Sequence, residues 1–155
     1  MERGGKRCGV TNLLISGSRD DNSVMRKYAR RCVQRAKDRV YLVIIGDAHG
    51  IDAVVMEECH RLGVPHIVYG ANGTIRRRTP SCSIYICDGN YLARDYEMAK
   101  ACDLCIGIWN NKKKSNGGKS GTEHTYGYAV ELGKQAWLAA CIEGEMRIIQ
   151  RSNIS

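Results

Sequence analysis

Short apolar runs alternate with amphipathic runs along most of this chain, and that alternation constrains the fold more than any other feature. The apolar runs predict strands at 13–16, 40–45, 66–69, 104–109 and 135–142. The amphipathic runs repeat with a helical period and predict helices at about 25–36, 51–62, 91–102 and 122–132. Alternating strands and helices are typical of an open parallel sheet with helices on both faces. We therefore expect one α/β domain over 1–155, with about five strands and a core at about 13–142.

Two segments lie outside this pattern. The stretch at 71–90 is long for a connection, and we interpret it as a loop or flap. The stretch at 143–155 predicts either a tail or a short edge strand at about 146–150. The inward-facing stripes of the last two helices are predicted to be Leu92, Asp95 or Tyr96, Ala99 and Cys102 on the third, and Thr125, Tyr128, Ala129 and Leu132 on the fourth.

The turn after the first predicted strand carries an anion-binding pattern, Gly17-Ser18-Arg19. In open parallel sheets, ligands bind beyond the carboxyl ends of the strands. Gly17 lets a phosphate approach the backbone, Ser18 can donate a hydrogen bond, and Arg19 can bind two oxygens at once. A tight turn followed by a helix N-cap explains the same residues without a ligand. We predict that all three contact a phosphate.

A second such turn, Ser120-Gly121-Thr122, precedes the predicted fourth helix. The first backbone N–H groups of a helix have no partner within it and attract anions. Thr125 is predicted to point toward the same crevice from the first helical turn. Glu123 lies about 200° around the helix from Thr125 and faces elsewhere. Two phosphate-binding turns at one sheet edge indicate a nucleotide-like ligand.

The turn after the second predicted strand contains Gly46, Asp47, His49 and Asp52. Gly46 permits a close backbone bend, and we include Gly46 and Asp47 among the predicted ligand contacts. His49 is a candidate acid or base because histidine titrates near neutral pH, although an exposed turn histidine is the more common outcome. Asp52 fits a structural role as an acidic residue in the first turn of a helix.

Arg94, Asp95 and Trp109 complete the predicted ligand contacts. A carboxylate beside a buried stripe needs a partner, because an unpaired buried charge is costly. A ribose hydroxyl or a neighbouring arginine would satisfy Asp95, and so would a capping or salt-bridging role without any ligand. Trp109 ends the fourth predicted strand, where its ring either stacks on a base or fills the core.

Composition narrows the possible partners. The formal net charge of +8 is concentrated at 76–78 and 112–114, which indicates an anionic partner but does not distinguish nucleic acid from a small phosphorylated ligand. No apolar run approaches the roughly 20 residues that a membrane span needs. The basic segment at 1–7 lacks the apolar stretch of a secretory signal. We therefore expect a cytoplasmic protein with no membrane partner.

The chain has eight cysteines, most of them in predicted helices and strands, where free cysteine behaves as a small apolar residue. Cys102 and Cys105 have the spacing of a metal-ligand pair, but no second pair follows at zinc-finger spacing. We predict reduced thiols, no metal site and no cofactor.

The order and spacing of these motifs resemble the SLOG superfamily, the Rossmann-like group that joins DNA-processing protein A and the Lonely Guy phosphoribohydrolases. The resemblance covers roughly 13–142, and the nearest branch is that of small stand-alone proteins. It implies a Rossmann-like fold that binds nucleotides or their derivatives at the strand ends. The residues that carry it are Gly17-Ser18-Arg19, Gly46-Asp47-Ala48-His49-Gly50-Ile51-Asp52, Arg94-Asp95 with Met98, Ala101-Cys102-Asp103, and Ser120-Gly121-Thr122 through His124-Thr125.

The same resemblance leaves open whether the chain is an enzyme. Lonely Guy enzymes and nucleoside deoxyribosyltransferases cleave N-glycosidic bonds with a glutamate on the helix after the Gly-Thr turn. Thr125 stands at that position here, and threonine cannot replace a carboxylate as nucleophile or as stabiliser of an oxocarbenium-like centre. If the chain is an enzyme, we expect an N-glycosidic bond hydrolase or transferase, with Asp95, His49 and Glu123 as candidate catalytic residues.

The sequence favours a protein that senses or sequesters a phosphorylated, ribose-containing small molecule, such as a nucleotide, an ADP-ribose-like or a cyclic nucleotide signal. Asp95 would hold the ribose and Trp109 would cover the base. The second hypothesis is a nucleoside-monophosphate N-glycosidase or a deoxyribosyltransferase-like enzyme. A nucleic-acid binder ranks third, because the sequence offers no groove-reading helix or aromatic RNA platform. Relatives assemble through similar helices, so we expect a homo-oligomer.

Overall fold

Residues 10–153 are described by the computed structural model, and they form seven strands and four helices. The basic segment at 1–7, predicted to lack a secretory signal, lies outside the described residues. The helices are α1 (Ser23–Asp38), α2 (Ile51–Leu62), α3 (Tyr91–Ala101) and α4 (Gly121–Glu131). The strands are β1 (Asn12–Gly17), β2 (Leu42–Gly46), β3 (His66–Gly70), β4 (Ser83–Ile86), β5 (Leu104–Trp109), β6 (Gln135–Ile142) and β7 (Glu145–Arg151).

All seven strands belong to one sheet, in the order β4-β3-β2-β1-β5-β6-β7. β7 pairs antiparallel with β6, and the other pairings are parallel. The chain moves outward from β1 through β2 and β3, then returns to β5 on the other side of β1. The direction of strand order therefore reverses between β1 and β5. In doubly wound sheets, the ligand crevice opens at the carboxyl ends of the strands at such a reversal.

The two faces of the sheet carry separate apolar cores. Leu13 and Ile15 of β1 pack with α1 and α2, whereas Leu14 packs with α3 and α4. Successive residues of a strand point to opposite faces, so a strand covered on both sides is apolar throughout. This arrangement confirms the predicted α/β, Rossmann-like fold with helices on both faces.

The sheet has two more strands than the five predicted. β4 lies within the segment at 71–90 that was predicted to be a loop or flap, and β7 is the edge strand predicted as one possibility for 143–155. The residues of β4 are exposed or half-buried, and its apolar run, Ile84-Tyr85-Ile86, is shorter than those of the central strands. β2 begins at Leu42 rather than at 40, because Val40 is 78% exposed and has φ 59° in the turn that ends α1.

The predicted inward faces of α3 and α4 were wrong in part. Leu92 and Tyr96 of α3 are exposed, and Tyr128 of α4 is only half-buried. The first turns of both helices face polar groups at the strand ends, so apolar periodicity does not identify their buried sides. The buried residues are Arg94, Asp95, Met98 and Ala99 on α3, and Thr122, Thr125, Tyr126 and Ala129 on α4.

Among the described residues, no helix is both long enough and apolar enough to cross a membrane.

Candidate functional site

A cavity of about 770 Å³ opens at the carboxyl ends of β1 and β5, where the strand order reverses. Its lining comes from the turns after β1, β2 and β5, from the first turns of α2, α3 and α4, and from Arg76. The two predicted phosphate turns, at 17–19 and 120–122, both contribute to it. Tertiary structure thus brings together two turns that are far apart in the sequence.

The turn after β1 is fastened to the end of β5. The Ser18 N–H donates to the Ile108 carbonyl at 3.0 Å, and the Asn110 N–H donates to the Ser18 hydroxyl oxygen at 2.9 Å. The Asn110 side chain also donates to the Asp20 carbonyl at 3.0 Å. These bonds fix the backbone of the turn, while Arg19 stays exposed and pairs with no described acid. The guanidinium of Arg19 is therefore available to a ligand.

The start of α4 presents two backbone donors to the cavity. Ser120 and Glu123 form a capping box, with the Glu123 N–H donating to the Ser120 hydroxyl and the Ser120 N–H donating to Glu123 Oε1 at 2.9 Å. The N–H groups of Gly121 and Thr122 have no acceptor among residues 10–153. An anion in the cavity would supply one.

Glu123, a candidate catalytic residue, does not line the cavity. Its second carboxylate oxygen pairs with Lys113 Nζ at 3.0 Å. Burial raises the pKa of Glu123, but the bonds from Ser120 and Lys113 outweigh that effect and hold the pKa below its usual value. Glu123 is thus a capping carboxylate that also holds the loop after β5.

A network of buried charges lies behind the cavity. Asp47, at the end of β2, is fully buried and accepts from Arg94 Nη1 at 2.9 Å and from three nitrogens of Arg76. Arg94 also donates to Asp95 at 2.9 Å and to the Tyr69 carbonyl at 3.2 Å. Burial raises the pKa of Asp47, but Arg76 and Arg94 outweigh this and lower it. Asp47 therefore orders the two arginines.

Asp95 and Thr125 lie side by side in the cavity wall, both almost completely buried. Burial raises the pKa of Asp95, against the opposing effect of Arg94. The Thr125 hydroxyl donates to the Gly121 carbonyl at 2.9 Å. The carboxyl group of Asp95 thus lies beside Thr125. By the resemblance, Thr125 occupies the position of the glutamate that cleaves N-glycosidic bonds.

Asp52, predicted to be structural, also lines the cavity. It accepts from the Ala48 N–H at 3.2 Å, so it does stabilise the turn before α2. It is 5% exposed, and burial raises its pKa to about 7 despite the nearby charge of Arg94. Gly46 leaves the space for this arrangement, because a Cβ there would lie 2.7 Å from Asp52 Oδ2 and 2.9 Å from Arg94 Nη1.

The predicted site residues fall into two groups. Gly46, Asp47, Trp109 and Glu123 do not line the cavity. Trp109 instead fills the core beside α3 and α4, and its indole N–H has no acceptor among residues 10–153. The other predicted residues all line the cavity: Gly17, Ser18, Arg19, His49, Arg94, Asp95, Ser120, Gly121, Thr122 and Thr125.

Sequence reasoning missed the roles of Arg76 and Tyr91. The basic run at 76–78 was not among the predicted ligand contacts, yet the Arg76 side chain is only 28% exposed and lies 4.3 Å from the centre of the Tyr91 ring. Arg94 lies 5.1 Å from the same ring. No local pattern distinguishes Arg76 from the two exposed arginines that follow it. Within residues 10–153, no three His, Cys, Asp or Glu side chains form a group able to hold a metal ion.

Comparisons with known proteins identify the fold. No protein-family model matches this chain, and no curated protein matches it in sequence. A molybdenum cofactor binding protein from Rippkaea orientalis superposes with a TM-score of 0.71 at 12% identity, over 84% of this chain and 76% of that one. The molybdenum cofactor carrier protein of Chlamydomonas reinhardtii gives a TM-score of 0.64 at 14% identity, over 83% and 75% of the two chains.

DNA processing protein A from Streptococcus pneumoniae is similar to the same extent, with a TM-score of 0.64 at 16% identity. The match covers 83% of this chain but only 50% of that protein. At these identities the likeness bears on architecture alone. The chain has a Rossmann-like fold of the SLOG type.

Proposed function

We propose that this protein binds a phosphorylated, ribose-containing small molecule in the cavity and senses or sequesters it. The observation that carries the proposal is the convergence of two anion-binding turns, at 17–19 and 120–122, on one cavity. The free N–H groups of Gly121 and Thr122 and the unpaired guanidinium of Arg19 supply complementary donors. Phosphate is the anion that such backbone donors at a helix N-terminus bind most often.

The positive charge around the entrance supports the same conclusion. Lys112, Lys113 and Lys114 line the cavity together with Arg19. Basic side chains outnumber acidic ones in the lining, and a net positive charge raises the local concentration of an anionic ligand. Asp95, beside Thr125 in the cavity wall, would accept hydrogen bonds from the ribose hydroxyl groups. Similar structures that bind or carry the molybdenum cofactor are consistent with a small-molecule ligand in a SLOG-type fold.

Isothermal titration calorimetry tests this proposal with AMP, ADP, ADP-ribose, cyclic AMP and inorganic phosphate as probes. Arg19→Ala removes a charge-assisted hydrogen bond and is expected to weaken the best ligand roughly 10- to 100-fold. Arg31→Ala is the matched control, because Arg31 is an exposed arginine of α1 outside the cavity. Failure of the unmodified protein to bind any of these probes would overturn the proposal.

A second candidate function is cleavage of an N-glycosidic bond, favoured by the presence of Asp95 and His49 in the cavity wall. Free base released from a nucleoside monophosphate, and no longer released by Asp95→Asn, would establish it. A third candidate is nucleic-acid binding, because a DNA processing protein A from Helicobacter pylori binds single-stranded DNA and shares the fold at a TM-score of 0.63. Tight, salt-sensitive association with an oligonucleotide would favour that candidate over a small ligand.

We also propose that the protein is a cytoplasmic homo-oligomer. Leu92 and Tyr96 leave 42% and 37% of their surfaces exposed on α3, which offers an apolar contact between copies. Light scattering coupled to size-exclusion chromatography tests the assembly, with Tyr96→Lys expected to shift it toward the monomer.

A further inference from the structure

Asp52 is an ionisable residue of the cavity that the phosphate and ribose contacts proposed above do not use. Asp52 is nearly fully buried and lines the cavity, yet it forms no ion pair with a described residue. Its one hydrogen bond comes from the Ala48 N–H and involves Oδ2. Buried carboxyl groups are normally paired, because an isolated buried charge is costly. The missing partner of Asp52 therefore needs an explanation.

The remaining oxygen of Asp52 has contact with the cavity. Within residues 10–153, Trp109 Nε1 is the one side-chain nitrogen or oxygen that is both sealed from solvent and without a hydrogen bond. Asp52 Oδ1 has no partner either, so it must retain access to the cavity that Asp52 lines. A ligand in that cavity can reach it.

The charged groups around Asp52 do not neutralise it. Arg94 is the nearest cation, but its Nε donates to Asp95 and its Nη1 donates to Asp47. Arg76 is held by Asp47 in the same way. The two neighbouring acids, Asp47 and Asp95, act against the ionisation of Asp52. The side chain of Asp52 is thus left to accept hydrogen bonds from the ligand.

Asp52 also stands close to the proposed phosphate position. The Ile51 N–H donates to the Ser18 carbonyl at 3.1 Å, so Asp52 follows directly after a residue bonded to the phosphate turn. Gly50 packs so closely there that a Cβ would lie 2.3 Å from the Arg19 carbonyl oxygen. Adjacent Cα atoms are about 3.8 Å apart. The backbone of Asp52 therefore lies next to the proposed phosphate turn.

We propose that Asp52, together with Asp95, binds the vicinal hydroxyl groups of the ligand's sugar, so that the site selects ribose phosphates over 2-deoxyribose phosphates. This inference rests on the proposed function and names the chemistry that discriminates between its ligands. Two carboxylates accept hydrogen bonds from two adjacent hydroxyl groups, and loss of one hydroxyl leaves a buried carboxylate unpaired. Sites built in this way reject analogues that lack the donor.

The test compares ribose 5-phosphate, 2-deoxyribose 5-phosphate and inorganic phosphate by calorimetry. The unmodified protein is expected to bind ribose 5-phosphate about 10-fold more tightly than 2-deoxyribose 5-phosphate, because the deoxy sugar lacks one hydrogen bond to a charged group. Asp52→Asn keeps an acceptor for the Ala48 N–H and is expected to reduce this preference to about 3-fold or less. Its affinity for inorganic phosphate should not decrease, because the substitution removes only a negative charge near the anion. Glu131→Gln, at the exposed end of α4, is the charge-matched control.

Three outcomes overturn the inference. The first is that the unmodified protein binds both sugars equally. The second is that Asp52→Asn keeps the full preference for ribose 5-phosphate. The third is that Asp52→Asn weakens the binding of all three probes by the same factor, as expected if Asp52 only shapes the turn at 46–50. If no phosphorylated probe binds at all, the proposed function itself fails, which is a different result.

The pH dependence offers a readout that does not require a stable variant. Burial raises the pKa of Asp52 to about 7, so the carboxylate that accepts from hydroxyl groups forms as the pH rises from 6 to 8. The preference for ribose 5-phosphate over the deoxy sugar is expected to increase over that range. Ionisation of the phosphate affects both sugars alike, so it cancels in the ratio. A ratio independent of pH would count against the inference.

Discussion

Arg76 holds Asp47 through three hydrogen bonds, two from its guanidinium at 2.7 and 3.1 Å and one from its backbone N–H at 2.7 Å. Asp47 directly follows β2, and Arg76 lies in the segment between β3 and β4. The pair therefore fastens that segment across the carboxyl ends of the strands. Thr79 extends the attachment, since its hydroxyl lies 2.7 Å from Nε2 of the buried His66. Arg76 brings this segment to the cavity, and the two contacts hold the segment against the sheet.

We predict that Arg76→Ala destabilises the protein by about 2 to 3 kcal/mol. Removing one partner of a buried ion pair costs about 3 to 5 kcal/mol, and Arg94 remains to compensate part of the charge of Asp47. Urea denaturation of the two proteins measures the difference. Arg78→Ala, which removes an exposed arginine of the same run, should change stability by no more than about 0.5 kcal/mol. Equal effects of the two substitutions would show that the contact with Asp47 contributes nothing.

Gly50→Ala and Gly127→Ala should have opposite effects on stability. Gly50 has φ 82°, and a Cβ there would lie 2.3 Å from the Arg19 carbonyl oxygen. We therefore expect Gly50→Ala to lower the free energy of unfolding by about 1 to 3 kcal/mol. Gly127 is inside α4, where a Cβ meets no atom within 4 Å. Alanine there should add about 0.5 to 1 kcal/mol through its better helix propensity. Thermal unfolding followed by circular dichroism distinguishes the two. A tolerated Gly50→Ala would contradict the close packing of the two turns.

Ser120→Asp should separate helix capping from anion binding. Aspartate caps a helix as well as serine does, so we expect stability to change by no more than about 0.5 kcal/mol. Its negative charge would lie beside the proposed phosphate position and should weaken phosphate binding at least roughly 10-fold. Asn153→Asp adds the same charge after β7, outside the cavity, and should leave binding unchanged. Unaltered phosphate affinity in Ser120→Asp would place the anion elsewhere.

The stability of the protein should carry a component from Asp52 that decreases as the pH rises. Burial raises the folded-state pKa of Asp52 to about 7, above the ordinary carboxyl value of 3.8. Between these values the folded protein holds a proton that the unfolded chain has released, so stability is lost as the pH rises from about 4 to 7. Asp52→Asn lacks this ionisation. Its free energy of unfolding relative to the unmodified protein should therefore increase by a few kcal/mol between pH 4.5 and pH 8.

Urea denaturation at pH 4.5, 6 and 8 measures this relative stability. If the difference in free energy of unfolding between the two proteins stays constant over this pH range, the pKa of Asp52 is not raised in the folded state. Together with the binding test, the result would show that the cavity keeps an unfavourable buried acid for the sake of its ligand.

The central strands could be predicted well from the sequence. β5 and β6 have the predicted bounds of 104–109 and 135–142, because both are continuous apolar runs covered by helices. β4 was missed although it contains Ile84-Tyr85-Ile86, because three apolar residues make a weak signal and this exposed edge strand is not a long buried run. The buried side of α3 was predicted in part: Asp95, Ala99 and Cys102 are buried as expected, whereas Leu92 is exposed and Arg94 is buried among other charges.

Part of the candidate site could be recognised from short stretches of the sequence alone. A glycine, a hydroxyl side chain and a helix start are properties of a few consecutive residues, so the turns at 17–19 and 120–122 can be recognised without coordinates. Their meeting at one cavity follows from parallel strands whose carboxyl ends share one edge of the sheet.

Only the tertiary structure decided which charged side chains complete the cavity. Arg76 and Arg94 line the cavity and come from separate segments that meet at Asp47, and Arg76 looks like an ordinary surface charge in its own stretch of sequence. Whether such a group is solvated or buried depends on what packs against it, and no local pattern encodes that. The same holds for Asp52 and Trp109: the fold placed the predicted helix-terminal acid in the cavity and the predicted base-stacking ring in the core.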